Sequence, residues 1–251
     1  MAFSFFACEK ETIIIPNNNA PNYDEIPTIL LENYVNRLYI DLIGREPLDE
    51  EMNLDVQFLR DNNVTIESRD TLISKLQFDT TYVEGDISYK NAYFHRLYEM
   101  VKVRMIEGAS NAYIENEMGI FLFFYEVDSL AGNLIGAHNN LINYYRLKDI
   151  IDSESLFYNN FIDIKEMHRR MLNNAIYDQI NMNTFNFVNA AFDNLLFRYP
   201  TQNEFNCSYS MIEDEIPQIV LGFSGSNKDD LINIICNSRE FYEGIIHWSY
   251  L

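Results

Sequence analysis

An internal repeat constrains the fold of this chain more than any other feature of its sequence. Residues 33–52 align with residues 186–205, and residues 69–85 align with residues 228–244, with six extra residues between the two blocks of the second copy. Blocks that recur in the same order mark a repeated supersecondary unit. The recurring residues are Asn33, Val35, Asn36, Leu42, Arg45, Pro47 and Glu51, matched by Asn186, Val188, Asn189, Leu195, Arg198, Pro200 and Glu204, and Asp70, Leu72, Ile73, Glu84 and Gly85, matched by Asp229, Leu231, Ile232, Glu243 and Gly244.

Both copies show the periodicity of amphipathic helices. In the first copy, apolar side chains recur at steps of three and four residues, which predicts a helix over residues 28–43. Gly44 suits the left-handed position just past the end of that helix, and Pro47 then starts the next helix. A third helix is predicted in each copy from the apolar face that Leu72, Ile73 and Leu76 form in the first and Leu231, Ile232 and Ile235 form in the second.

Polar residues at matching places in the two copies predict how the helices begin and end. In the second copy, Thr201 and Glu204 have the spacing of a capping box, in which a hydroxyl and a carboxylate each accept a hydrogen bond from a free amide. Leu48 takes the place of the threonine in the first copy, so the cap there must differ. We interpret Arg45 and Arg198 as structural residues at helix ends, whose guanidinium groups bind free carbonyl oxygens.

The repeated motif resembles a class of bacterial modules. An aromatic-led helix is followed by Leu-x-Gly-Arg-x-Pro-x-x-x-Glu in residues 34–52, and a further helix covers residues 69–85. Residues 187–205 and 228–244 match with Phe197 in place of the glycine. The pattern resembles helical modules of unknown function in bacterial envelope and surface proteins, such as those that accompany cytochrome-like domains in planctomycetes, and more distantly phycobilisome linker domains. The resemblance implies a helical module that contacts other proteins, and it carries over no catalytic residue.

The sequence therefore predicts an all-α protein in which two related three-helix units flank a central helical region. We expect residues 1–27 to form a tether, residues 28–85 the first unit, residues 86–185 the central region and residues 186–251 the second unit. The central region is again helical in its apolar pattern, and its loops are short. These features favour one compact body in which both units pack against a shared interior.

The N-terminus resembles the end of a bacterial lipoprotein signal. A short apolar stretch ends at Ala7, and Cys8 is followed by a segment rich in Asn, Pro and charge, as linkers are. Lipidation of Cys8 is the first interpretation, and an apolar tail with a free thiol is the alternative. Export would place Cys207 and Cys236 in an oxidising compartment, where they could form a disulfide. The alternative for this pair is two small buried hydrophobic side chains.

The charge of the chain excludes several classes of partner. With 38 acidic and 18 basic residues, the formal net charge is −20, and the basic residues form no cluster. Nucleic acid and anionic membranes are therefore poor partners. The longest apolar run, residues 119–127, is about half the length of a membrane span and carries Glu126. A lipid anchor is the membrane contact that we expect.

The sequence contains no obvious reactive constellation. The four histidines lack metal-ligand spacing, and residues 61–70 lack the glycine and the terminal glutamate of a calcium-binding loop. Residues 222–226 approach the spacing of a nucleophile elbow without matching it, and we interpret them as a flexible loop. We expect no catalytic residue, no cofactor and no metal ion.

The leading functional hypothesis is an exported, lipid-anchored, non-enzymatic protein of the bacterial cell envelope. It would act at the outer membrane as an accessory or scaffold subunit, through contacts with other envelope proteins. The alternative is a lipoprotein that binds a glycan or a small ligand for an outer-membrane transporter. A third hypothesis is a hydrolase, which requires two acidic side chains that face each other in a cleft. The sequence leaves the oligomeric state and the identity of the partner open.

Overall fold

The computed structural model describes residues 26–249, with side chains placed as far as Ile245. Cys8 and most of the tether predicted for residues 1–27 lie outside the described residues. The predicted all-α fold is confirmed, since helices account for nearly all of the regular structure. The elements are α1 (Thr28–Ile43), α2 (Asp49–Asp61), α3 (Ile66–Phe78), α4 (Tyr89–Ile106), α5 (Asn111–Ala131), α6 (Leu134–Tyr158), α7 (Ile164–Leu172), α8 (Ala175–Asn181), α9 (Thr184–Leu196), α10 (Gln202–Glu213), β1 (Gln218–Val220), β2 (Phe223–Gly225), α11 (Lys228–Cys236) and α12 (Arg239–Ser249).

The first helix has the bounds that its apolar pattern predicts. α1 ends at Ile43, and Gly44 follows it in the left-handed conformation with a φ of 79°. The backbone N–H of Gly44 donates to carbonyl oxygens of the last turn, which is how a left-handed cap satisfies them. Pro47 does not start the next helix as predicted. α2 begins at Asp49, and Pro47 precedes the capping residue Leu48.

The buried apolar side chains form two clusters, where the sequence predicts one shared interior. The first cluster lies within α1, α2, the loop that follows α2, α3 and the first turn of α4. The second is built from the rest of α4 and from the elements that follow it, so the central region and the second unit share one core. α4 has 18 residues and is therefore about 27 Å long, which lets its two ends enter different clusters.

A short β-hairpin lies in the connection between α10 and α11, which is longer than the connection between α2 and α3. β1 and β2 are antiparallel, with Val220 paired with Phe223. Leu221 and Gly222 between them both have positive φ, 50° and 85°, as a tight two-residue hairpin turn requires. The prediction of a loop for residues 222–226 is thus wrong, because Gly222 lies in the hairpin turn and residues 223–225 form β2.

The two longest helices, α5 and α6, pack against each other along their length. Gly132 ends α5 in the left-handed conformation, with a φ of 75°, and the side chain of Asn133 caps the start of α6. Among the described elements, α6 is the only one that packs extensively on α5. Of the 21 residues of α5, only Ile114 near its start is buried.

Candidate functional site

In each of the two aligned segments, residues 33–85 and 186–244, an arginine binds a glutamate six residues further along the chain, and we name this pair a clasp. In the first clasp, Arg45 Nη1 and Nη2 donate to the two carboxylate oxygens of Glu51 at 2.8 and 2.9 Å. Arg45 Nε donates to Asp86 at 2.8 Å, and the backbone N–H of Leu48 donates to Glu51 at 2.7 Å. The guanidinium carbon lies 5.6 Å from the centre of the Tyr39 ring. The clasp therefore joins the end of α1 to the start of α2.

The second clasp has the same geometry. Arg198 Nη1 and Nη2 donate to the two carboxylate oxygens of Glu204 at 2.9 and 2.8 Å, and Nη2 also donates to Glu240 at 3.0 Å. The backbone N–H of Thr201 donates to Glu204 at 2.8 Å, and the Glu204 N–H donates back to the threonine hydroxyl at 3.3 Å. The predicted capping box is thus confirmed. The guanidinium carbon lies 5.5 Å from the centre of the Phe192 ring.

Both clasp carboxylates are held in their charged form. Burial alone would raise the pKa of Glu51, but hydrogen bonds from Arg45, from the Leu48 amide and from Tyr89 outweigh it and lower that pKa. The hydrogen bonds from Arg198 are the main reason why the pKa of Glu204 falls to about 2. Since each charge is bound by an opposite charge of the same protein, the clasps have the properties of structural ion pairs.

The carbonyl groups at the helix ends are bound by arginines other than those predicted. Arg45 and Arg198 reach only the backbone oxygen of the residue that follows each of them. Arg96 of α4 donates instead to a carbonyl oxygen in the last turn of α1 at 2.8 Å. Arg104, two turns further along α4, donates to two carbonyl oxygens in the last turn of α9 at 2.7 Å. Helix α4 therefore binds the C-terminal ends of both α1 and α9.

In the first unit the clasp continues into a buried polar network. The hydroxyl of Tyr89 donates to Glu51 at 2.7 Å, and the hydroxyl of Tyr39 donates to Asp55 at 2.7 Å. The two hydroxyl oxygens are 3.3 Å apart, and Lys75 donates to Asp55 at 2.6 Å. The hydrolase hypothesis requires two acidic side chains that face each other in a cleft. Glu51 and Asp55 are instead joined through tyrosine hydroxyls inside the core.

The aligned segment 186–244 lacks three polar members of this network. Replacing one charged member alone would leave the opposite charge without its partner. A buried charge that has no partner is unfavourable. The aligned positions in the second unit carry side chains without charge, namely Phe192 for Tyr39, Ser208 for Asp55 and Ile234 for Lys75.

Helix α5 has two apolar sides, and only one of them is covered. Its buried and half-buried side chains, which include Ile114, Met118 and Phe121, lie on the side packed against α6. A second set of apolar side chains recurs at steps of three and four residues on another side of the helix, and all of them are exposed. We name this set the α5 stripe, and it consists of Ile120, Phe123, Phe124, Val127 and Leu130.

The stripe runs into an apolar tip where α5 and α6 meet. Leu130, Leu134 and Ile135 are 91, 76 and 77% exposed, and we name these three residues the tip. The carboxylate of Asp128, two residues before Leu130, accepts hydrogen bonds from the side-chain amides of Asn133 and Asn140 at 3.0 and 2.9 Å. No helix within residues 26–249 is both long enough and apolar enough to cross a membrane.

From the sequence, residues 119–127 are identified only as an apolar run that is too short to span a bilayer. The signal that could have identified the surface is the second helical stripe. Apolar residues at two separate angular positions of one helix imply two packing surfaces, whereas a helix on the outside of a protein needs only one.

The three histidines whose side chains are described lie apart from one another. Nδ1 of His95 contacts Glu154 at 2.6 Å near the surface, and the exposed His138 lies on α6. His168 is completely buried, and burial lowers its pKa to about 4. Its Nδ1–H donates to the backbone oxygen of Ile164 at 2.7 Å. Within residues 26–249, no group of His, Cys, Asp or Glu side chains is arranged to hold a metal ion.

The two described cysteines are free thiols. Cys236 is buried in the second cluster, and burial raises its pKa to about 12. Cys207 is half-buried beside the same cluster. The disulfide that the sequence allowed for this pair is therefore not formed, and Cys236 fits the alternative of a small buried hydrophobic side chain.

A groove of about 590 Å³ lies along α4, between the end of α1 and the end of α9. His95, Arg96 and Arg104 line it, but both arginines already bind the helix ends described above. The lining contains no Phe, Tyr or Trp side chain. An aromatic platform for stacking a sugar ring is therefore missing from this groove.

Comparison of the chain with protein-family models, with curated proteins and with solved structures finds no match. The arrangement of its own residues is therefore the basis on which a function can be assigned. Among the features described here, the clasps and the polar network have their partners inside the protein. The α5 stripe and the tip are the large apolar surface that no described element covers.

Proposed function

We propose that this protein is a non-enzymatic accessory or scaffold subunit that binds a protein partner through the α5 stripe and the tip. The observation that carries the proposal is the continuous row of exposed apolar side chains on α5, which α6 leaves uncovered. Contact of so much apolar surface with water is unfavourable, so patches of this kind mark interaction sites. A non-enzymatic role is supported by the buried acids Glu51 and Asp55, which have their partners within the core.

The size of the surface supports a protein as the partner. From their exposed fractions, the seven side chains of the stripe and the tip leave on the order of 900 Å² of mainly apolar surface in contact with water. The largest patch on a typical monomer is about 300–600 Å². A stable protein–protein interface buries about 800 Å² on each partner, so the surface is large enough to form one.

The charge of the chain supports the same class of partner. The formal net charge is −20, and α5 contains four acidic residues and no lysine or arginine. A helix that binds anionic lipid in the membrane interface carries basic residues on its polar face. Nucleic acid binding likewise depends on clustered basic residues. An apolar surface on an acidic helix suits a protein partner better than either.

We also propose that the subunit is exported and anchored by lipid at Cys8, at the outer membrane of a bacterial envelope. The support is in the sequence, where an apolar stretch precedes Cys8 and a linker-like segment follows it. The test is the intact mass of the protein expressed with its native upstream region. We expect a diacyl or triacyl increment that a Cys8→Ser variant lacks. An unmodified wild-type mass would contradict the anchor without affecting the binding role.

Site-specific photo-crosslinking tests the binding role. A photoreactive residue at Phe123, on the stripe, is compared with the same residue at Leu122, which is also exposed and apolar but lies on another side of α5. In the envelope of the producing cell, we expect the Phe123 position to yield a discrete crosslinked protein and the Leu122 position to yield little. Equal yields from both positions, or no product from either, would contradict the proposal.

The alternative function, binding of a glycan or a small ligand, stays a prediction of the sequence. The groove along α4 is the place where such a ligand could bind, and it lacks an aromatic platform. Calorimetric titration with oligosaccharides tests the alternative directly. Heat of binding that an Arg104→Met variant abolishes would favour it over the role proposed here.

A further inference from the structure

We infer that the partner of the α5 stripe is a second copy of this chain, paired so that the two α5 helices run antiparallel across a two-fold axis near Phe124. This inference rests on the proposed function, since it names the partner for the same surface. It differs from that function in requiring no other protein. Three features of α5 favour a second copy: the spacing of its apolar residues, the placement of its charges and the area of the stripe with the tip.

The spacing favours a helix as the contact. Ile120, Phe123, Phe124, Val127 and Leu130 recur at the intervals that place side chains on one side of an α-helix. A partner helix with the same spacing can interdigitate with them, as ridges pack into grooves. An isologous interface brings the same patch of two copies together around a two-fold axis, which is the commonest symmetry of soluble oligomers. The middle of the stripe lies near Phe124.

The charges favour the antiparallel direction. Glu115 and Glu117 lie in the first turns of α5, whereas residues 129–140, at the end of α5 and the start of α6, contain no acidic residue, lysine or arginine. The nearest carboxylates there are those of Glu126 and Asp128, and Asp128 accepts two amide hydrogen bonds. Antiparallel pairing places the acidic end of each helix beside the apolar end of the other. Parallel pairing would bring the acidic ends together, and such like-charge contacts are unfavourable.

The remaining charge of α5 does not oppose this arrangement. Glu126 lies about 100° around the helix from Val127, which places it at the edge of the stripe, where water can reach it. The stripe itself contains no charged residue. In a chain of net charge −20, a contact between two copies needs such a charge-free surface, because the rest of the surface is repulsive.

The area favours a stable complex. The stripe and the tip together expose on the order of 900 Å² on each copy, compared with about 800 Å² per partner in a standard interface. Two such surfaces would place the two α5 helices against each other, with the α6 of each copy on the outer side of its own α5.

Sedimentation equilibrium of the full chain, expressed without lipid, tests the inference. We expect twice the 29.6 kDa mass of one chain. A Phe123→Glu/Val127→Glu variant places charge within the stripe and should weaken association on the order of 100-fold, to the mass of one chain. Leu122→Glu is the matched control on the other side of α5 and should remain dimeric. Because all three side chains are exposed in the single chain, the variants should keep the wild-type circular dichroism.

Cysteine crosslinking tests the direction of pairing. In a Cys8→Ser/Cys207→Ser background, Phe124→Cys lies near the proposed axis and should form a disulfide-linked dimer on mild oxidation. Glu117→Cys lies far from its own counterpart in the antiparallel arrangement and should not. Equal crosslinking of both would indicate parallel pairing and overturn the arrangement inferred here.

Other outcomes separate the inference from the proposed function. A wild-type chain that remains a monomer at high concentration overturns the second copy as partner. If Phe123 then crosslinks to a different protein in the envelope, the proposed function stands. If the monomer instead sediments with vesicles of zwitterionic lipid through the same stripe, both the second copy and the protein partner are overturned.

Discussion

Replacement of Arg45 by methionine tests whether the first clasp stabilises the fold. Methionine keeps an apolar stem in place of the arginine stem and removes the charge and every N–H donor. Glu51 would then lose two of its four hydrogen bonds and keep those from Leu48 and Tyr89. Its side chain is only 10% exposed, so water cannot readily replace the missing donors.

The magnitude follows from how deeply the carboxylate is buried. Removing one partner of a buried ion pair costs about 3–5 kcal/mol. Because Glu51 keeps two hydrogen-bond donors, we expect Arg45→Met to cost about 3 kcal/mol, the lower end of this range. Arg198→Met in the second clasp is the matched control. The Arg198 and Glu204 side chains are 33 and 17% exposed, and pairs with this access to water contribute about 1 kcal/mol. We therefore expect Arg45→Met to cost about 2 kcal/mol more.

Urea unfolding followed by far-ultraviolet circular dichroism measures both variants as a change in the free energy of unfolding. Glu51→Gln added to Arg45→Met should recover part of the loss, because it removes the buried charge and keeps an acceptor for Tyr89. The reasoning is refuted if Arg45→Met costs no more than Arg198→Met. It is also refuted if Glu51→Gln brings no recovery, since the cost then does not arise from an uncompensated carboxylate.

Three further predictions follow from burial and backbone geometry. Burial lowers the pKa of His168 from 6.5 to about 4 in the folded protein, so the unfolded state binds the proton first as the pH falls. The free energy of unfolding should therefore decrease by roughly 3 kcal/mol as the pH falls from 6.5 to 4. A His168→Gln variant, unfolded at several pH values, should lack this pH-dependent loss of stability. Gly44→Ala should be more destabilising than Gly132→Ala in thermal unfolding. Both residues have positive φ, so the backbone cost of about 1 kcal/mol is similar, but a Cβ at Gly44 would lie 3.3 Å from a guanidinium nitrogen, whereas Gly132 has open space. Equal losses of stability would contradict the close contact at Gly44. In thiol labelling read by mass spectrometry, Cys236 should react only on unfolding, whereas Cys207 should react in the folded protein; rapid labelling of Cys236 under native conditions would show that it is not buried.

Local sequence patterns predicted the helices where neighbouring residues decide the conformation. The bounds of α1, the left-handed Gly44 that ends it and the capping box of Thr201 and Glu204 all depend on residues within one or two turns of each other. Hydrogen bonds of this kind form in almost any helical context. They can therefore be predicted without knowledge of the tertiary structure.

The partners of the arginines could not be predicted in the same way. Arg45 and Arg198 were assigned to free carbonyl oxygens because they lie near helix ends, and they bind carboxylates instead. The carbonyl oxygens are bound by Arg96 and Arg104, which come from a helix of the central region. Such a partner depends on where α4 lies relative to α1 and α9, and that position depends on the packing of both clusters.

The amino-acid sequence by itself determined the helical class and the local caps, because the periodicity of apolar side chains and the short-range hydrogen bonds act within a few residues. Only the tertiary structure decided that the buried side chains divide into two clusters and that one apolar side of α5 remains exposed. Periodicity indicates that one side of a helix is apolar, but it does not indicate which element of the fold covers that side. Burial depends on neighbours that are distant in the chain, so only the assembled fold distinguishes a core side from a binding surface.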